Sequence, residues 1–442
     1  MDYIQALEYL NSRIVFGIRP GLERIQALCA RIGSPQAAGP VIQITGSNGK
    51  SSVASAVSAL LRESGFRVGT YTSPHLHSYT ERIQIDGQPV SEEDFAAELD
   101  VIVPHVDYVD RASEDPLTHF EIVTALAYAM FSKAQVDVAV VEVGLGGRFD
   151  ATSIVSPRVA VVTNVELEHT DLLGETIVEI AREKTAIVKE GSGAVFGSLK
   201  PEASLIASAR CLEVGASSVS LGPDFGTVSG RSAGSAVSVR GVYGTYEELG
   251  LQVAGAHQAD NFAVAVAAAE KFLGRALDGR AANRAAGKFL MPGRLEQVAR
   301  NPSVILDGAA VLAKSLEDYS WDRLLLVVGI FGDKEIPGFL EQLVPLAARV
   351  VVTENENERR APAAQVADEM RGFGVPWIVE PDLAKAIDAA VGEANAHDLV
   401  LITGSLYTVA EARGHLLSVI NDDTRLEAPD EEKPGELEKF MG

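Results

Sequence analysis

The sequence predicts an α/β protein of two domains, each built on a parallel sheet. Apolar runs of Val, Ile and Leu alternate with longer segments of helical period, and this pattern occurs twice along the 442 residues. The runs are continuous, which is typical of strands buried on both faces of a parallel sheet. A chain of this length also exceeds what one core usually covers, so two domains are expected.

The chain begins with MDYIQALEYLNSR, whose pattern predicts an amphipathic helix. Residues 215–250 are rich in Gly, Ser and Val, which predicts short strands and turns appended to the first domain. A helix is predicted over Gln258–Leu273. The predicted strands of the two sheets are Val41–Thr45, Val68–Tyr71, Val138–Val143, Val159–Val165, Ala194–Phe196, Val304–Leu306, Leu324–Ile330, Arg349–Thr353 and Leu399–Thr403.

The domain boundary is predicted at Met291-Pro292-Gly293-Arg294, because a Pro-Gly pair there can form a hinge. Residues 1–290 are then the first domain and residues 291–420 the second. The remaining segment, 421–442, is acidic and poor in apolar residues, so it is predicted to be disordered.

Composition excludes several classes of partner. The net charge of −23 argues against a nucleic-acid partner, which normally requires a basic surface. No run approaches the roughly 18 apolar residues of a membrane span, and the N-terminus lacks the pattern of an export signal. Two distant cysteines, Cys29 and Cys211, fit a reducing compartment. We expect a cytoplasmic monomer that acts on small molecules.

A glycine-rich turn follows the first strand in VIQITGSNGKSSVASAVSALL, residues 41–61. Gly46 and Gly49 let the backbone curl, and a helix predicted to start near Ser51 would point its N–H groups at one spot. Such a spot binds phosphate, with Lys50 reaching the outer phosphates and a Ser51 or Ser52 hydroxyl reaching Mg²⁺. Ile44 stands where the first glycine of the usual P-loop spacing is expected. The alternative is an ordinary strand-to-helix turn.

Two further strands lead into polar residues. Glu142 ends the strand in DVAVVEVGLGGRFDAT, where a carboxylate at the ligand edge of a parallel sheet can hold magnesium, or can simply cap a turn. His169 follows the strand in VAVVTNVELEHTDLLG. If Ser73 converges with these two side chains, the three form a ligand set for one or two Mg²⁺ ions. Lys184 lies farther along the chain, and a surface lysine is an equally good interpretation of it.

Ten segments, in this order, closely resemble the dihydrofolate synthase/folylpolyglutamate synthase family, a branch of the Mur ligase superfamily: GSNGKSS, YTSPHLHSYTERIQIDG, LTHFEIVTALAY, VVEVGLGGRFDAT, ELEHTDLLG, AREKTAIVK, HQADNFAVA, PGR, VILDGA and TGSLYTVAEAR. The resemblance extends to about Val419. It implies an N-terminal P-loop ATP-binding domain with a parallel sheet, a hinge, and a C-terminal Rossmann-like domain that closes over the reactants.

The resemblance also implies a reaction. Members of the family use ATP to phosphorylate a carboxylate of dihydropteroate or a folate. The amine of L-glutamate then attacks the acyl phosphate, which gives an amide, ADP and phosphate. The residue types suit this chemistry, because Mg²⁺ and Lys50 would offset charge on the transferring group.

Site residues are implied by matching each motif position. Lys50, Glu142, His169 and Lys184 are the catalytic set, with Lys184 as a carbamate that helps to hold a second metal ion. The metal ligands are Ser73, Glu142 and His169. The nucleotide contacts are Gly46, Asn48, Gly49, Lys50, Ser51, Ser52, Asn261, Arg294 and Asp307. The pterin-binding segments are Thr118, His119, Phe120 and Glu121, and Phe149, Asp150 and Ala151.

The chain departs from the family most clearly after Asp307. The family usually reads Asp-Gly-Ala-His-Asn-Pro there, whereas this chain reads Asp307-Gly308-Ala309-Ala310-Val311-Leu312. Smaller departures are Glu168 for Asp, Ser51 for Gly and Thr185-Ala186 for Ala-Gly.

Ala310 and Val311 cannot donate side-chain hydrogen bonds to a phosphate or an incoming amine. Either a group such as Lys314 or His75 compensates, which we favour with glutamate as the acceptor, or the acceptor has changed. Two alternatives therefore stay open beside the ligase: a binding protein descended from such ligases, with an altered acceptor or decayed catalysis, and a P-loop phosphotransferase.

Overall fold

The structure is a computed structural model that describes residues 1–17, 19–229, 236–253, 255–308, 316, 319–332 and 336–419. The chain divides into two compact units, Met1–Leu290 and Met291–Gly442. The predictions for the acidic tail, for Ala309 to Leu312 and for Lys314 lie outside the described residues.

The first unit contains eleven strands and ten α-helices in its described residues. The strands are β1 (Val41–Thr45), β2 (Val68–Tyr71), β3 (Ile83–Ile85), β4 (Gln88–Pro89), β5 (Val138–Glu142), β6 (Val159–Asn164), β7 (Gly193–Ser198), β8 (Ser217–Ser220), β9 (Gly226–Ser229), β10 (Val237–Arg240) and β11 (Thr245–Leu249). The helices are α1 (Tyr3–Ser12), α2 (Glu23–Arg31), α3 (Lys50–Glu63), α4 (Glu92–Ala112), α5 (His119–Ala134), α6 (Thr170–Leu173), α7 (Ile177–Thr185), α8 (Pro201–Val214), α9 (Ala256–Leu273) and α10 (Gly279–Lys288).

The main sheet of this unit has the order β4-β3-β2-β5-β1-β6-β7-β8. The six strands from β2 to β8 in that order run parallel, which confirms the predicted fold class. Because β1 lies between β5 and β6, the loops that follow these three strands meet at one edge. This edge is where open α/β sheets bind their ligands.

The hairpin β3–β4 extends the sheet with antiparallel pairing and is absent from the predicted strands. Its turn is Asp86-Gly87, with φ of 52° and 75°. Positive φ at both positions is characteristic of a two-residue hairpin turn, for which Asp-Gly is a preferred pair. The sequence therefore carried a signal for this hairpin.

The predicted short strands of residues 215–250 divide between two sheets. Strand β8 joins the edge of the main sheet, whereas β9, β10 and β11 form a separate antiparallel sheet. Buried Glu270 of α9 ties this small sheet to the unit by accepting hydrogen bonds from Val242 N at 2.5 Å and from the Tyr246 hydroxyl at 2.5 Å.

Helices of this unit pack against one another through apolar side chains at helical spacing. In α4, Phe95, Leu99, Ile102, Val106 and Val109 recur every three or four residues, and each is at most 5% exposed. This is the stripe expected of a helix with one buried face. Burial of each such side chain contributes about 1.5–3 kcal/mol, so the stripe fixes α4 against its neighbours α1, α2 and α5.

The second unit is built on a sheet of order β12-β13-β17-β14-β15-β16. Its strands are β12 (Glu296–Arg300), β13 (Ser303–Asp307), β14 (Leu324–Val328), β15 (Arg349–Val352), β16 (Trp377–Val379) and β17 (Leu399–Thr403). All neighbours pair in parallel except β12 with β13. Its described α-helices are α11 (Ile336–Leu343), α12 (Ala363–Met370), α13 (Leu383–Glu393) and α14 (Leu406–Val419).

None of the described helices combines the length and the apolar character that crossing a membrane requires.

Candidate active site

The loop between β1 and α3 has the backbone that a phosphate site requires. Gly46 has a φ of 152°, and a Cβ there would lie 1.8 Å from Thr163 Oγ1. Gly49 has a φ of 78° and precedes α3 without a side-chain cap. The first N–H groups of α3 therefore lack a capping side chain, and such groups attract anions.

Hydrogen bonds from β6 hold this loop in place. Asn164 Oδ1 accepts from Asn48 N at 2.8 Å, and Thr163 Oγ1 donates to Asn48 O at 2.6 Å. Asn261 of α9 lies against the loop from another side, because a Cβ on Gly49 would come within 2.6 Å of Asn261 Oδ1. The predicted nucleotide residues Asn48, Gly49 and Asn261 are thus brought together.

Lys50 folds back over the same loop. Its Nζ donates to Gly46 O at 2.8 Å and to Ser47 O at 3.3 Å. A flexible ammonium at this place can reach phosphate oxygens above the loop.

Glu142 ends β5 beside this loop, since the parallel register pairs Ile44 with Glu142. Its carboxylate is 1% exposed and accepts a hydrogen bond from Ser51 Oγ at 2.9 Å on one oxygen. The other oxygen accepts from Ser73 N at 3.1 Å. The structure therefore brings Glu142 together with two residues for which a magnesium contact was predicted, Ser73 through its main-chain N–H and Ser51 through its hydroxyl.

Lys184 is buried rather than on the surface, with its side chain 1% exposed and Nζ 2.7 Å from Glu168. The interpretation of Lys184 as a surface lysine is therefore wrong. Burial lowers the pKa of Lys184, and the Glu168 carboxylate offsets this shift only in part. Burial raises the pKa of Glu168, but the two lysines Lys184 and Lys50 lower it below its usual range.

His169 lies directly after Glu168 and is exposed. It has a φ of 44° and precedes the short helix α6. Among the described residues, no group of three or more His, Cys, Asp or Glu side chains is arranged to hold a metal ion. A cation at this edge would therefore need hydroxyl and phosphate oxygens as well as Glu142.

The first predicted substrate segment begins α5. Thr118 and Glu121 form a capping box, in which Thr118 N donates to Glu121 Oε2 at 2.8 Å. Arg24 forms an ion pair with the same carboxylate at 3.1 Å. Thr118 and Glu121 therefore shape the segment, whereas Phe120 packs over Gly144, where a Cβ would lie 2.5 Å from its ring.

The second predicted substrate segment has the same division of roles. Asp150 is buried and caps the short helix Ala151–Ile154, and it also accepts from Leu145 N at 2.9 Å. Burial raises the pKa of Asp150 despite these hydrogen bonds. Phe149 is 52% exposed and offers an aromatic surface beside this turn.

An aromatic and basic cluster next to these segments was not predicted as a group. Arg82 Nε donates to His75 Nδ1 at 2.8 Å, and the Arg82 guanidinium lies 4.9 Å from the centre of the Tyr79 ring. The His75 and His119 rings contact Tyr79 at 4.3 and 5.6 Å between centroids. Burial, followed by the charge of Arg82, lowers the pKa of each histidine to about 4. Both imidazoles are therefore neutral near pH 7.

Two predicted nucleotide residues lie in the second unit. Asp307 ends β13, is 3% exposed, and accepts from Leu295 N at 2.8 Å. This bond fixes the backbone next to Arg294, whose own N–H donates to Met291 O at 3.0 Å. Asp307 thus orders the segment that carries Arg294.

Two family descriptions match most of the chain. The Mur ligase middle domain matches residues 44–269, and the Mur ligase glutamate ligase domain matches residues 293–406. These two matches lie on either side of residue 291, where the second compact unit begins.

Curated relatives give the same family. The chain is 36% identical to a dihydrofolate synthase/folylpolyglutamate synthase of Mycobacterium tuberculosis, over 90% of each chain. It is 37% identical to a probable bifunctional folylpolyglutamate synthase/dihydropteroate synthase of Halobacterium salinarum, over 93% of this chain and 51% of the relative. The chain thus spans about half the length of that relative.

A solved structure is similar over nearly the whole fold. The folylpolyglutamate synthase of Mycobacterium tuberculosis complexed with ADP superposes with a TM-score of 0.87 at 35% identity. The similarity covers 94% of this chain and 98% of the other.

Proposed function

The chain belongs to the dihydrofolate synthase/folylpolyglutamate synthase family of Mur ligases, and on that basis we propose that it is an ATP-dependent ligase that joins L-glutamate to dihydropteroate, to folates or to both. One observation carries the proposal: the glycine loop that ends in Lys50 lies beside Glu142. Ser51 Oγ, at the start of α3, donates a hydrogen bond to the Glu142 carboxylate at 2.9 Å. The family and this site together favour a ligase over the binding-protein and phosphotransferase alternatives.

The proposed reaction has two steps, phosphoryl transfer and amide formation. A carboxylate oxygen of the pterin substrate attacks the γ-phosphorus of ATP, and the bond to the ADP oxygen breaks. The amine of glutamate then attacks the acyl carbon, the amide forms with loss of a proton, and phosphate leaves with the carboxylate oxygen. Neither step requires a nucleophile from the protein.

Residues of the first unit bind and orient the phosphates in this proposal. The N–H groups of the loop and of the start of α3 donate hydrogen bonds to the phosphate oxygens, and Lys50 offsets the charge on the transferring group. Asn261 contributes to nucleotide binding from α9. Arg294 and Asp307 stay predictions for nucleotide contacts.

The site fits magnesium as a nucleotide-bound ion. Mg²⁺ is usually held by one or two carboxylates together with substrate phosphates rather than by an all-protein cage. Glu142 and the Ser51 and Ser73 hydroxyls are oxygen donors of this kind, and His169 stays a predicted ligand. When bound, Mg²⁺ would neutralise charge that develops on the phosphates.

A carbamate on Lys184 is part of the proposal and has its own test. It would form when the neutral amine adds to CO₂ and a proton is released. Since Nζ is 2.7 Å from Glu168, the carbamate would place two negative charges together and would require a cation beside them. A carbamate carbon signal in ¹³C NMR after incubation with labelled bicarbonate and Mg²⁺ would support it, and a free amine under those conditions would contradict it.

Phe120 and Phe149 offer aromatic surface to the pterin ring, on segments that Thr118, Glu121 and Asp150 hold in shape. His119 and Ala151 stay predicted contacts of these segments. The expectation that the chain acts as a monomer in the cytoplasm also stays a prediction.

The proposal is tested by product mass. The purified chain is incubated with ATP, Mg²⁺, glutamate and either dihydropteroate or a reduced folate, and matched reactions omit glutamate or the pterin. A product heavier by one glutamyl residue, formed only in the complete reaction, is expected. ADP release without an amide product would favour a phosphotransferase, and nucleotide binding without turnover would favour a binding protein.

A further inference from the structure

Two serines follow Lys50, and the sequence leaves open which of them reaches a cation. The structure gives them different surroundings. Ser52 is buried at 5% exposure within the packing of α3, whereas Ser51 is half-buried and donates to Glu142 Oε1 at 2.9 Å. Only Ser51 of the two is thus engaged with the carboxylate at the end of β5.

We propose that Ser51 is the hydroxyl that, together with Glu142, holds the divalent cation of the bound nucleotide. This inference rests on the proposed nucleotide site and deepens it. A hydroxyl has one proton and two lone pairs, so Ser51 can donate to Glu142 and still offer oxygen to a cation. Mg²⁺ prefers such oxygen donors.

The position of Ser51 supports this role independently. It follows Gly49-Lys50 directly, which is the G-K-[ST] spacing in which the hydroxyl reaches the metal ion of a P-loop. Family members usually have glycine here, so the hydroxyl is a feature of this chain rather than a property carried over by resemblance.

The carboxylate partner is already oriented. Glu142 is 1% exposed, and Ser73 N donates to its second oxygen at 3.1 Å. Ser51 and Ser73 therefore fix both oxygens, and the rotation of a buried carboxylate is restricted. Groups that orient a metal ligand in this way typically change metal affinity by about 10- to 100-fold when they are removed.

The test measures cation binding without ligation. Mn²⁺ is titrated into the protein–ADP complex and followed by electron paramagnetic resonance, and ADP affinity is measured separately in EDTA by calorimetry. The variants are Ser51→Ala, which removes the hydroxyl, and Ser51→Thr, which retains it. Ser55→Ala is the matched control, because Ser55 lies one turn farther along α3.

We expect Ser51→Ala to weaken Mn²⁺ binding to the ADP complex by about 10-fold or more, with little change in ADP affinity in EDTA. Ser51→Thr should stay near the parent, and Ser55→Ala should match it. Equal Mn²⁺ affinity in the parent and Ser51→Ala would overturn the inference, and so would equal losses in Ser51→Ala and Ser51→Thr. A loss of ADP affinity in EDTA as large as the Mn²⁺ effect would place the hydroxyl on the phosphate instead. Because folate and glutamate are absent, these results are independent of whether the ligation assay succeeds.

Discussion

Glu142 and Glu121 are both buried glutamates of the first unit, at 1% and 3% exposure, yet their surroundings differ. Glu121 is paired with Arg24 at 3.1 Å and caps its own helix. Glu142 ends a central strand and accepts hydrogen bonds from Ser51 Oγ at the start of α3 and from Ser73 N in the loop after β2. A motif carboxylate can therefore serve either folding or ligand binding, and its hydrogen-bond and ion-pair partners distinguish the two roles.

The largest effect is expected at the phosphate edge, from Lys50→Ala. The side chain contacts only the carbonyls of its own loop in its described hydrogen bonds, so the fold should persist. Loss of its charge should lower the ligation rate by about 10²- to 10³-fold, as measured by ADP release coupled to product mass. Lys133→Ala is the control, because Lys133 pairs with Glu98 on the surface. Near-normal turnover in Lys50→Ala would mean that the phosphates bind elsewhere.

Replacement of the two glutamates by glutamine should affect different properties, stability for Glu121 and ligation rate for Glu142. Glu121→Gln should lower the free energy of unfolding by about 3 kcal/mol, because it leaves the charge of Arg24 uncompensated in a buried place. Glu142→Gln should instead lower ligation by about 10²-fold with a smaller loss of stability. Urea denaturation and the product assay are run on both variants.

Arg24→Ala and the double variant Arg24→Ala/Glu121→Gln complete this comparison. If the pair acts as a unit, the double variant should lose less stability than the sum of the single changes. Additive losses, or a Glu142→Gln variant as unstable as Glu121→Gln, would contradict the division of roles.

The sequence predicted the central strands well because both faces of each are covered. β1, β2 and β17 have their predicted bounds, and β5 and β6 differ by one residue at one end. The parallel order of the strand ends then brings Gly46 and Glu142 to one edge. The β3–β4 hairpin was missed because its strands are short and half-exposed, although Asp86-Gly87 marks its turn.

Side-chain partners were less predictable than strands. The pair between Lys184 and Glu168 joins residues 16 positions apart on either side of α6, and no local pattern encodes it. The structural role of Glu121 likewise depends on its ion pair with Arg24. Asp150 acts as the cap of the short helix that follows it. The capping box Thr118-x-x-Glu121 was legible as a local pattern, whereas Arg24 lies 97 residues away from its partner.

A smaller effect is expected from Phe149→Ala. The side chain is 52% exposed, so its removal should change stability by less than about 0.5 kcal/mol. Loss of aromatic contact with the pterin should cost about 0.5–1.5 kcal/mol, equivalent to a rise in KM of up to about tenfold. An unchanged KM, measured with Leu212→Ala as an exposed apolar control, would exclude Phe149 from the substrate site.

The smallest effect is expected from restoring the family pattern at Ala310 and Val311, which lie outside the described residues. If another group compensates for the missing pair, Ala310→His with Val311→Asn should change glutamate ligation by less than about threefold, well below the 10²-fold typical of a lost donor. Parent and double variant are compared with glutamate and with a panel of other amino acids. A large gain with glutamate would show that the parent is impaired or uses another acceptor.

In the proposed reaction the bound phosphate serves to join two molecules, and oxygen transfer tests this most directly. Dihydropteroate or a reduced folate labelled with ¹⁸O at both oxygens of its reacting carboxylate is incubated with ATP, Mg²⁺ and glutamate, and the released phosphate is analysed by mass spectrometry. We predict one ¹⁸O atom in each phosphate released together with the amide product. Amide formation with unlabelled phosphate, or phosphate release without any amide, would contradict an acyl-phosphate ligase.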